Sequence, residues 1–380
     1  MGKKIAIVTS GGDAPGMNAA IRGVFRSTKR RDPDHEIILF NNGFRGLAGR
    51  LEASMDVDVQ RRELRDILNR GGTCIGTGRV PELLPADPDA PDAEERREAR
   101  EAFLDVAAVN LYQLEVSGLV VIGGDGSYRG AHAIAEAYRA KFGRSLKVVG
   151  IPATIDNDIY GTDYTIGYDT AVGNTVDALR KIRDTVESHR RAVILEVMGN
   201  ASGWLALSAG IAAGASTILI PEIAETYDPR AVVGRCVAAL EGDYRYFIIV
   251  MAEGVKKASG DERYGEHLAK YIAQSERIHE VLGHPMSVRN NVIGHLARGG
   301  PPSAFDNILA ARFARGAVKV VLGETELPDG VDDVAMSLRG RQVVPMPLGE
   351  VVGHGPRLVS RDDELFAISQ DLTVSQDQPF

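Results

Sequence analysis

Residues Ile151 to Asp158 read Ile-Pro-Ala-Thr-Ile-Asp-Asn-Asp, placing a hydroxyl and two carboxylates, Thr154, Asp156 and Asp158, within five positions. Such a set offers a general base, a second charge for a cation or for tuning, and a hydrogen-bonding group that orients a substrate. The same residues can also form an Asx-rich turn that caps its own backbone. A second stretch, Ile122 to Ser127, favours the chemical reading: it runs Ile-Gly-Gly-Asp-Gly-Ser straight out of an apolar segment. Its glycines let backbone approach a phosphate, Asp125 can hold a divalent cation, and Ser127 adds a hydroxyl.

Two further loops have the composition of anion sites. Thr9 to Gly16 (Thr-Ser-Gly-Gly-Asp-Ala-Pro-Gly) lies between an apolar run and a stretch with helical spacing, the arrangement that points backbone N–H groups at an anion. It is no dinucleotide fingerprint, since Asp13 stands where a glycine is required, and no P-loop, since no Lys-Ser or Lys-Thr follows. A plain tight turn explains it equally well. Arg70 to Arg79 is a second glycine-rich loop with arginine at both ends, suited to a polyanion or to a mobile surface role.

Apolar runs that alternate with helical spacing must position these loops. Strands are expected over 5–8, 36–40, 118–122, 146–150, 192–197, 217–220 and 246–251, and helices over 17–29, 61–68, 93–113, 128–138, 170–187, 205–213, 230–240 and 265–282. Near-continuous apolar strands such as Gly118-Leu-Val-Val-Ile122 belong in a parallel sheet covered on both faces. The alternation predicts an α/β protein with doubly wound parallel sheets, whose ligands gather at the strands' carboxyl ends. Asp125 and Asp156 are thus expected at neighbouring strand tips. Pro81 to Pro91 reads as a surface insertion, and the tail after Gly323 shows no assignable pattern.

Composition narrows the classes. The 380 residues suffice for two domains, are 44% hydrophobic and 25% charged, and carry a formal net charge of −8, which argues against a nucleic-acid footprint. Cys74 and Cys236 cannot build a disulfide framework, so a reducing compartment is expected. No signal-peptide pattern precedes Ile5 and no apolar run approaches a membrane span, so the expected location is the cytoplasm.

With the glycine loops and Thr-Ile-Asp-Asn-Asp on the page, the chain resembles the phosphofructokinase family in its bacterial ATP-dependent branch. The motifs carrying the likeness are Thr9–Arg22, Gly71–Arg79, Gly123–Ser127, Thr154–Tyr168, Glu196–Gly199 and Gly294–Gly300, and it extends from Lys3 to about Gly323. The resemblance implies two Rossmann-like domains: a nucleotide domain of residues 1–167 plus about 297–345, and a sugar-phosphate domain of 168–296 plus about 346–380. It implies transfer of a phosphoryl group from ATP to fructose 6-phosphate, with Mg²⁺ as cofactor. Gly12, Arg79, Val80 and Gly124, Asp125, Gly126 and Ser127 would hold the nucleotide, and Asp125 the metal. Asp156 would be the base, flanked by Thr154 and Asp158. Ile155, Met198, Gly199, Asn200, Glu253, His295 and Arg298 would bind the sugar phosphate, joined across a subunit interface by Arg191 and Arg289 of another copy. A homodimer or homotetramer follows. Glu253, His295, Arg191 and Arg289 each also have a bland reading as a surface or core residue.

The donor rests on Gly126 and Ala153. Pyrophosphate-using relatives carry an acidic residue at the first place, in the room the α-phosphate of ATP needs, and a lysine at the second. Both positions point to ATP. Several residues depart from the family pattern: Asn200 replaces an arginine, Ser216 replaces an acid, and no basic cluster accompanies Gly242, so Arg22 and Arg26 do not by themselves imply the usual effector response. The competing readings are a pyrophosphate-dependent enzyme, a kinase of a related sugar phosphate, a dinucleotide or lipid kinase, and a non-catalytic nucleotide-binding regulator.

Overall fold

The computed structural model describes residues 3–51, 55–56, 64–83, 89–242 and 244–375. They form two compact units, one of residues 1–154, 159–169 and 298–356, the other of 155–158, 170–297 and 357–380.

The sheet of the first unit starts from five strands, β1 (Lys4–Ser10), β2 (Glu36–Phe40), the short β3 (Met55–Asp56), β4 (Val116–Gly123) and β5 (Lys147–Pro152). In β1, β2, β4 and β5 the side chains are buried almost throughout. β1 pairs in parallel with β2 and β4, and β4 with β5, Gly123 standing opposite Pro152. Continuous burial along β4 follows from helices covering both faces of a parallel sheet, as its unbroken apolar sequence predicts. Helices Met17–Arg31 and Ala304–Val321 pack so closely that a Cβ on Gly23 would lie 2.7 Å from Cβ of Ala314. Glycine there is a packing requirement.

The second unit contains β6 (Ala192–Val197), β7 (Thr217–Leu219), β8 (Phe247–Ala252) and β9 (Val288–Val292), all parallel, in the order β7-β8-β6-β9. Its core includes Ile194, Leu219, Val232, Cys236, Phe247 and Met251. Burial pushes the Cys236 thiol up to about 12, and both cysteines are free.

The chain then completes the first sheet with β10 (Asp333–Arg339) and β11 (Gln342–Pro347). β10 pairs in parallel with β5, and β11 returns antiparallel through Gly340-Arg341, where Gly340 takes φ +58°. The sheet order is β11-β10-β5-β4-β1-β2-β3. Both edges are antiparallel in an otherwise parallel sheet.

Several expectations need correction. The helix expected over 265–282 is two helices, Tyr264–Ala273 and Glu276–Leu282, because Ser275 adopts extended backbone and takes the N-cap position of the second. Residues 61–63 of the helix expected at 61–68 lie outside the described residues, and 64–69 form turns rather than helix. Of the 81–91 insertion, Pro81–Leu83 is a 3₁₀ turn with Leu83 in the core, and 84–88 lie outside the described residues. Residues 346–356, expected with the sugar-phosphate domain, lie in the first unit, since β11 pairs along β10 and helix Leu348–His354 follows it directly. Among the described residues no helix is long and apolar enough to cross a membrane.

Candidate active site

In the first unit the carboxyl ends of β1, β4 and β5 gather three loops. Gly123 ends β4, and Gly124 is the N-cap of helix Asp125–Phe142. The first N–H groups of any helix lack partners one turn back, so this loop presents amides to an anion. A Cβ on Gly123 would lie 2.4 Å from Ser10 O and Ser127 Oγ, which fixes glycine at that position. At Gly126 an added Cβ meets nothing within 4 Å. The Ser127 hydroxyl is buried between Gly11 and Gly123 and is among the buried polar atoms with no hydrogen-bond partner in the protein. Asp125 Oδ2 accepts from Arg129 Nε at 2.9 Å.

The loop of residues 70–79, expected to be flexible, is tied to its surroundings. Thr9 Oγ1 donates to Gly76 O (2.7 Å), Thr77 Oγ1 to Gly11 O (2.9 Å), and Gly11 N to Gly78 O (3.1 Å). Asn18 bridges it to helix Met17–Arg31, donating to Arg70 O and accepting from Cys74 N. Arg79 is exposed, whereas Val80 is buried in the core with Phe44 and Leu83 and its carbonyl accepts from Leu83 N at 3.1 Å, so its side chain does not face a ligand. Arg298, expected with the sugar phosphate, lies against the first loop: its Nη1 donates to Asp13 O at 2.8 Å and would stand 2.7 Å from a Cβ on Gly12. A side chain at position 12 would push that guanidinium aside.

Thr154 follows β5 and lies 3.6 Å, through its Cβ, from the place a Gly124 Cβ would occupy. Its carbonyl accepts from Thr165 Oγ1 at 2.6 Å. The next four residues belong to the second unit, where donors of that unit bind three successive carbonyl oxygens. Ser202 Oγ donates to Asp156 O (3.1 Å), Arg357 Nη2 to Asn157 O (3.3 Å), and Arg357 N to Asp158 O (2.6 Å). Asn157 sits at φ +51°, a conformation asparagine tolerates better than most residues. Ile155 and Asp158 are buried and Asp156 is half-buried.

Also in the second unit, three neighbouring strands end side by side: Val197 of β6 opposite Ala252 of β8, and Glu196 opposite Val292 of β9. Met198, Gly199 and Asn200 therefore emerge beside Glu253 and close to His295, which is exposed in the 3₁₀ turn Gly294–Arg298. Glu253 Oε1 accepts from Asn200 N at 2.8 Å. Asn200 has φ +53°, so this loop, like Asn157, uses an asparagine for left-handed backbone. Behind them Glu196, 6% exposed, pairs with Lys256 at 2.6 Å and raises the lysine's pKa.

Arg191 and Arg289 are not brought to these strand ends. Arg191 precedes the first residue of β6, and Arg289 pairs with Val193. A six-residue strand spans roughly 20 Å, so Arg191 stands most of a strand length from Met198. Both arginines instead line a groove of about 370 Å³ with Ile182, Val186, Val292 and Leu296. Ser216, where an acid was expected, bonds within the fold: its Oγ accepts from Ile248 N at 3.0 Å. Reading the sequence passed over Asn18, Ser202 and Arg357, which position the loops through backbone carbonyls; single polar residues of this kind carry no spacing signal.

Glycine loops and helix N-termini at the carboxyl edges of doubly wound sheets define a phosphate-handling α/β protein. The family profile described as "Phosphofructokinase" matches residues 4–321. A protein of Macrococcus caseolyticus named ATP-dependent 6-phosphofructokinase is 41% identical over 336 residues, covering 88% of this chain and 91% of its own. One of Listeria welshimeri with the same name is 38% identical over 375 residues, covering 98% and 100%. The solved structure of phosphofructokinase from Saccharomyces cerevisiae matches with a TM-score of 0.74 and 31% identity over 92% of this chain, which spans 45% of that longer one. The chain belongs to the phosphofructokinase family.

Proposed function

We propose that this protein transfers the γ-phosphoryl group of ATP to the C1 hydroxyl of fructose 6-phosphate, giving fructose 1,6-bisphosphate and ADP. Asp156 takes the hydroxyl proton as its oxygen forms a bond to the γ-phosphorus and the bridging bond to the β-phosphate breaks. Phosphoryl transfer asks for positioning and charge neutralisation more than covalent chemistry. Backbone amides of the Gly124–Ser127 loop hold the donor's phosphates, with Gly12, Arg79 and the backbone of Val80 around them. Met198, Gly199, Asn200, Glu253 and His295 bind the sugar phosphate. Arg298, against the Gly12 loop, adds charge to the donor side. Thr154 and Asp158 flank the base.

The observation that carries the ATP assignment is the open space at Gly126, with nothing within 4 Å of an added Cβ, inside a loop whose Ser127 hydroxyl lies buried without a protein partner. The relatives named ATP-dependent 6-phosphofructokinase, identical at 38–41%, support the same donor. Asp125 would hold Mg²⁺. Among the described residues no cluster of three metal-ligating side chains exists, and one carboxylate suits an ion that keeps waters and takes its other ligands from phosphates. Bound there, the ion would supply charge neutralisation to the donor's phosphates.

The proposed location of the enzyme is the cytoplasm. Arg191 and Arg289 reach the sugar phosphate of a neighbouring copy, so the working enzyme is a homo-oligomer. Their distance from Met198 along β6, and the exposed Val292 (62%) and Leu296 (76%) beside them, support this assignment. Initial rates with ATP and with pyrophosphate over a panel of sugar phosphates test the whole reading. Fastest turnover is expected for ATP with fructose 6-phosphate; faster turnover with pyrophosphate rejects the donor assignment.

A further inference from the structure

Three consecutive carbonyl oxygens, those of Asp156, Asn157 and Asp158, are held by the second unit, and two of the three bonds come from Arg357. Arg357 is itself fixed. Its guanidinium lies 4.6 Å above the Trp204 ring, and Trp204 Nε1 donates to Arg357 O at 3.0 Å. Two residues further on, Val359 N donates to Glu222 Oε1 at 3.0 Å, and the same carboxylate oxygen accepts from Gly203 N at 2.9 Å. Ser202, the third tether, has its hydroxyl also accepting from Trp204 N at 3.3 Å. Residues 357–359 thus form a strap joined at one end to the carbonyls around Asp156 and at the other to the turn that opens helix Trp204–Ala213.

We infer that Arg357 is a positioning residue for the reaction, acting through Asp156 by fixing the 156–158 backbone against Trp204.

The inference rests on the kinase reading above, in which Asp156 is the base. Arginine suits the task for two reasons. Its planar guanidinium stacks on an aromatic face while still donating in its own plane. Its length also lets the side chain reach the Asn157 carbonyl while its backbone N–H, a donor any residue but proline offers, holds that of Asp158. A base must stand within hydrogen-bond reach of the proton it takes, and a misplacement of about 1 Å costs on the order of a hundredfold in rate. Truncating Arg357 removes the bond to Asn157 O and the stacking on Trp204 but leaves the backbone N–H to Asp158 O. The loop is loosened without being released.

Steady-state kinetics on the full-length wild type, Arg357→Ala, Arg357→Lys, Trp204→Phe, Asp156→Ala and the double variant Arg357→Ala/Asp156→Ala test this. Arg357→Ala is expected to lower kcat about tenfold to a hundredfold with KM for ATP unchanged. Arg357→Lys should regain part of the loss, since its ammonium can still donate to Asn157 O. Trp204→Phe, which keeps an aromatic face but a smaller one and removes the indole N–H, should show a smaller fall of the same pattern and serves as the probe if Arg357→Ala does not fold. In the Asp156→Ala background, Arg357→Ala should lower the residual rate no further. An unchanged kcat in folded Arg357→Ala, a loss confined to thermal stability, or a full additional loss in the double variant overturns the inference. An inactive wild type, or an undiminished Asp156→Ala, contradicts the kinase reading instead.

Discussion

The Ser202 hydroxyl donates to the carbonyl oxygen of Asp156 at 3.1 Å, tying the candidate base to the loop that carries Met198, Gly199 and Asn200. Ser202 is fully buried, whereas Asp156 is half-buried, so the bond runs from the interior to the edge of the site. Replacing it by alanine leaves Asp156 O without that donor. Ser202→Ala is expected to lower kcat about tenfold and to raise KM for the sugar phosphate, with KM for ATP unchanged. Steady-state rates with each substrate varied in turn measure it.

Gly126 has space around it, and that separates fold from function. Gly126→Asp starts its side chain from a Cβ that meets no atom within 4 Å, so the melting temperature should change little. The carboxylate would stand in room reserved for the donor's α-phosphate and repel it. ATP-dependent kcat/KM is expected to fall at least about a hundredfold, while the ratio of pyrophosphate to ATP turnover rises. Parallel assays with the two donors decide the matter.

His132 gives the stability of the first unit a pH dependence. Its Nδ1 lies 2.5 Å from Asp333 Oδ2, and that hydrogen bond raises its pKa above the ordinary histidine value against the opposing effect of burial. Glu136, 3.8 Å from Nε2, adds to the rise, and Arg139 opposes it; Gly349 packs on the ring. A raised folded-state pKa means the native protein holds the proton more tightly, so the contribution is fully present below about pH 6.5 and is lost as pH climbs through the folded value. The melting temperature should fall as pH climbs above about 6.5, and His132→Gln should flatten that slope. An equal slope in the variant would locate the effect elsewhere.

How much of this could be read from the sequence differs between strands and connections. β2 and β6 fall where apolar patterning puts them, because buried parallel strands leave unbroken apolar runs, and helix Ala93–Gln113 coincides with the charged stretch expected to be helical. β9 left none: Val-Arg-Asn-Asn-Val is a mostly polar edge strand, neither alternating nor continuous. The hairpin β10–β11 was missed although Gly340 marks its turn, since a lone glycine with two arginines is a weak signal beside Asn-Gly. In the site, the glycines and acids announced themselves, but their supports did not. Ser202 and Arg357 act on backbone oxygens 46 and 200 residues away in sequence, a relation that only the folded chain contains.

Arg191 and Arg289 make a prediction about assembly. If they serve the site of a neighbouring copy, Asp156→Ala and Arg289→Ala lose activity in different subunits of one shared site. Mixing the two inactive proteins under conditions that exchange subunits should restore activity, because a hybrid pairs an intact Asp156 with an intact Arg289. Continued inactivity of the mixture would place Arg289 in the site of its own chain.

The most direct measurement concerns Asp156 itself. Asp156→Ser keeps a small polar side chain but removes the carboxylate that receives the proton, and leaves untouched the loop of residues 124–127 proposed to hold ATP. Kinetics of fructose 6-phosphate phosphorylation, paired with equilibrium binding of ATP, should show kcat lowered about a thousandfold or more and ATP affinity within about twofold of wild type. Retention of kcat in a folded Asp156→Ser enzyme would contradict the assignment of the base, and with it the mechanism.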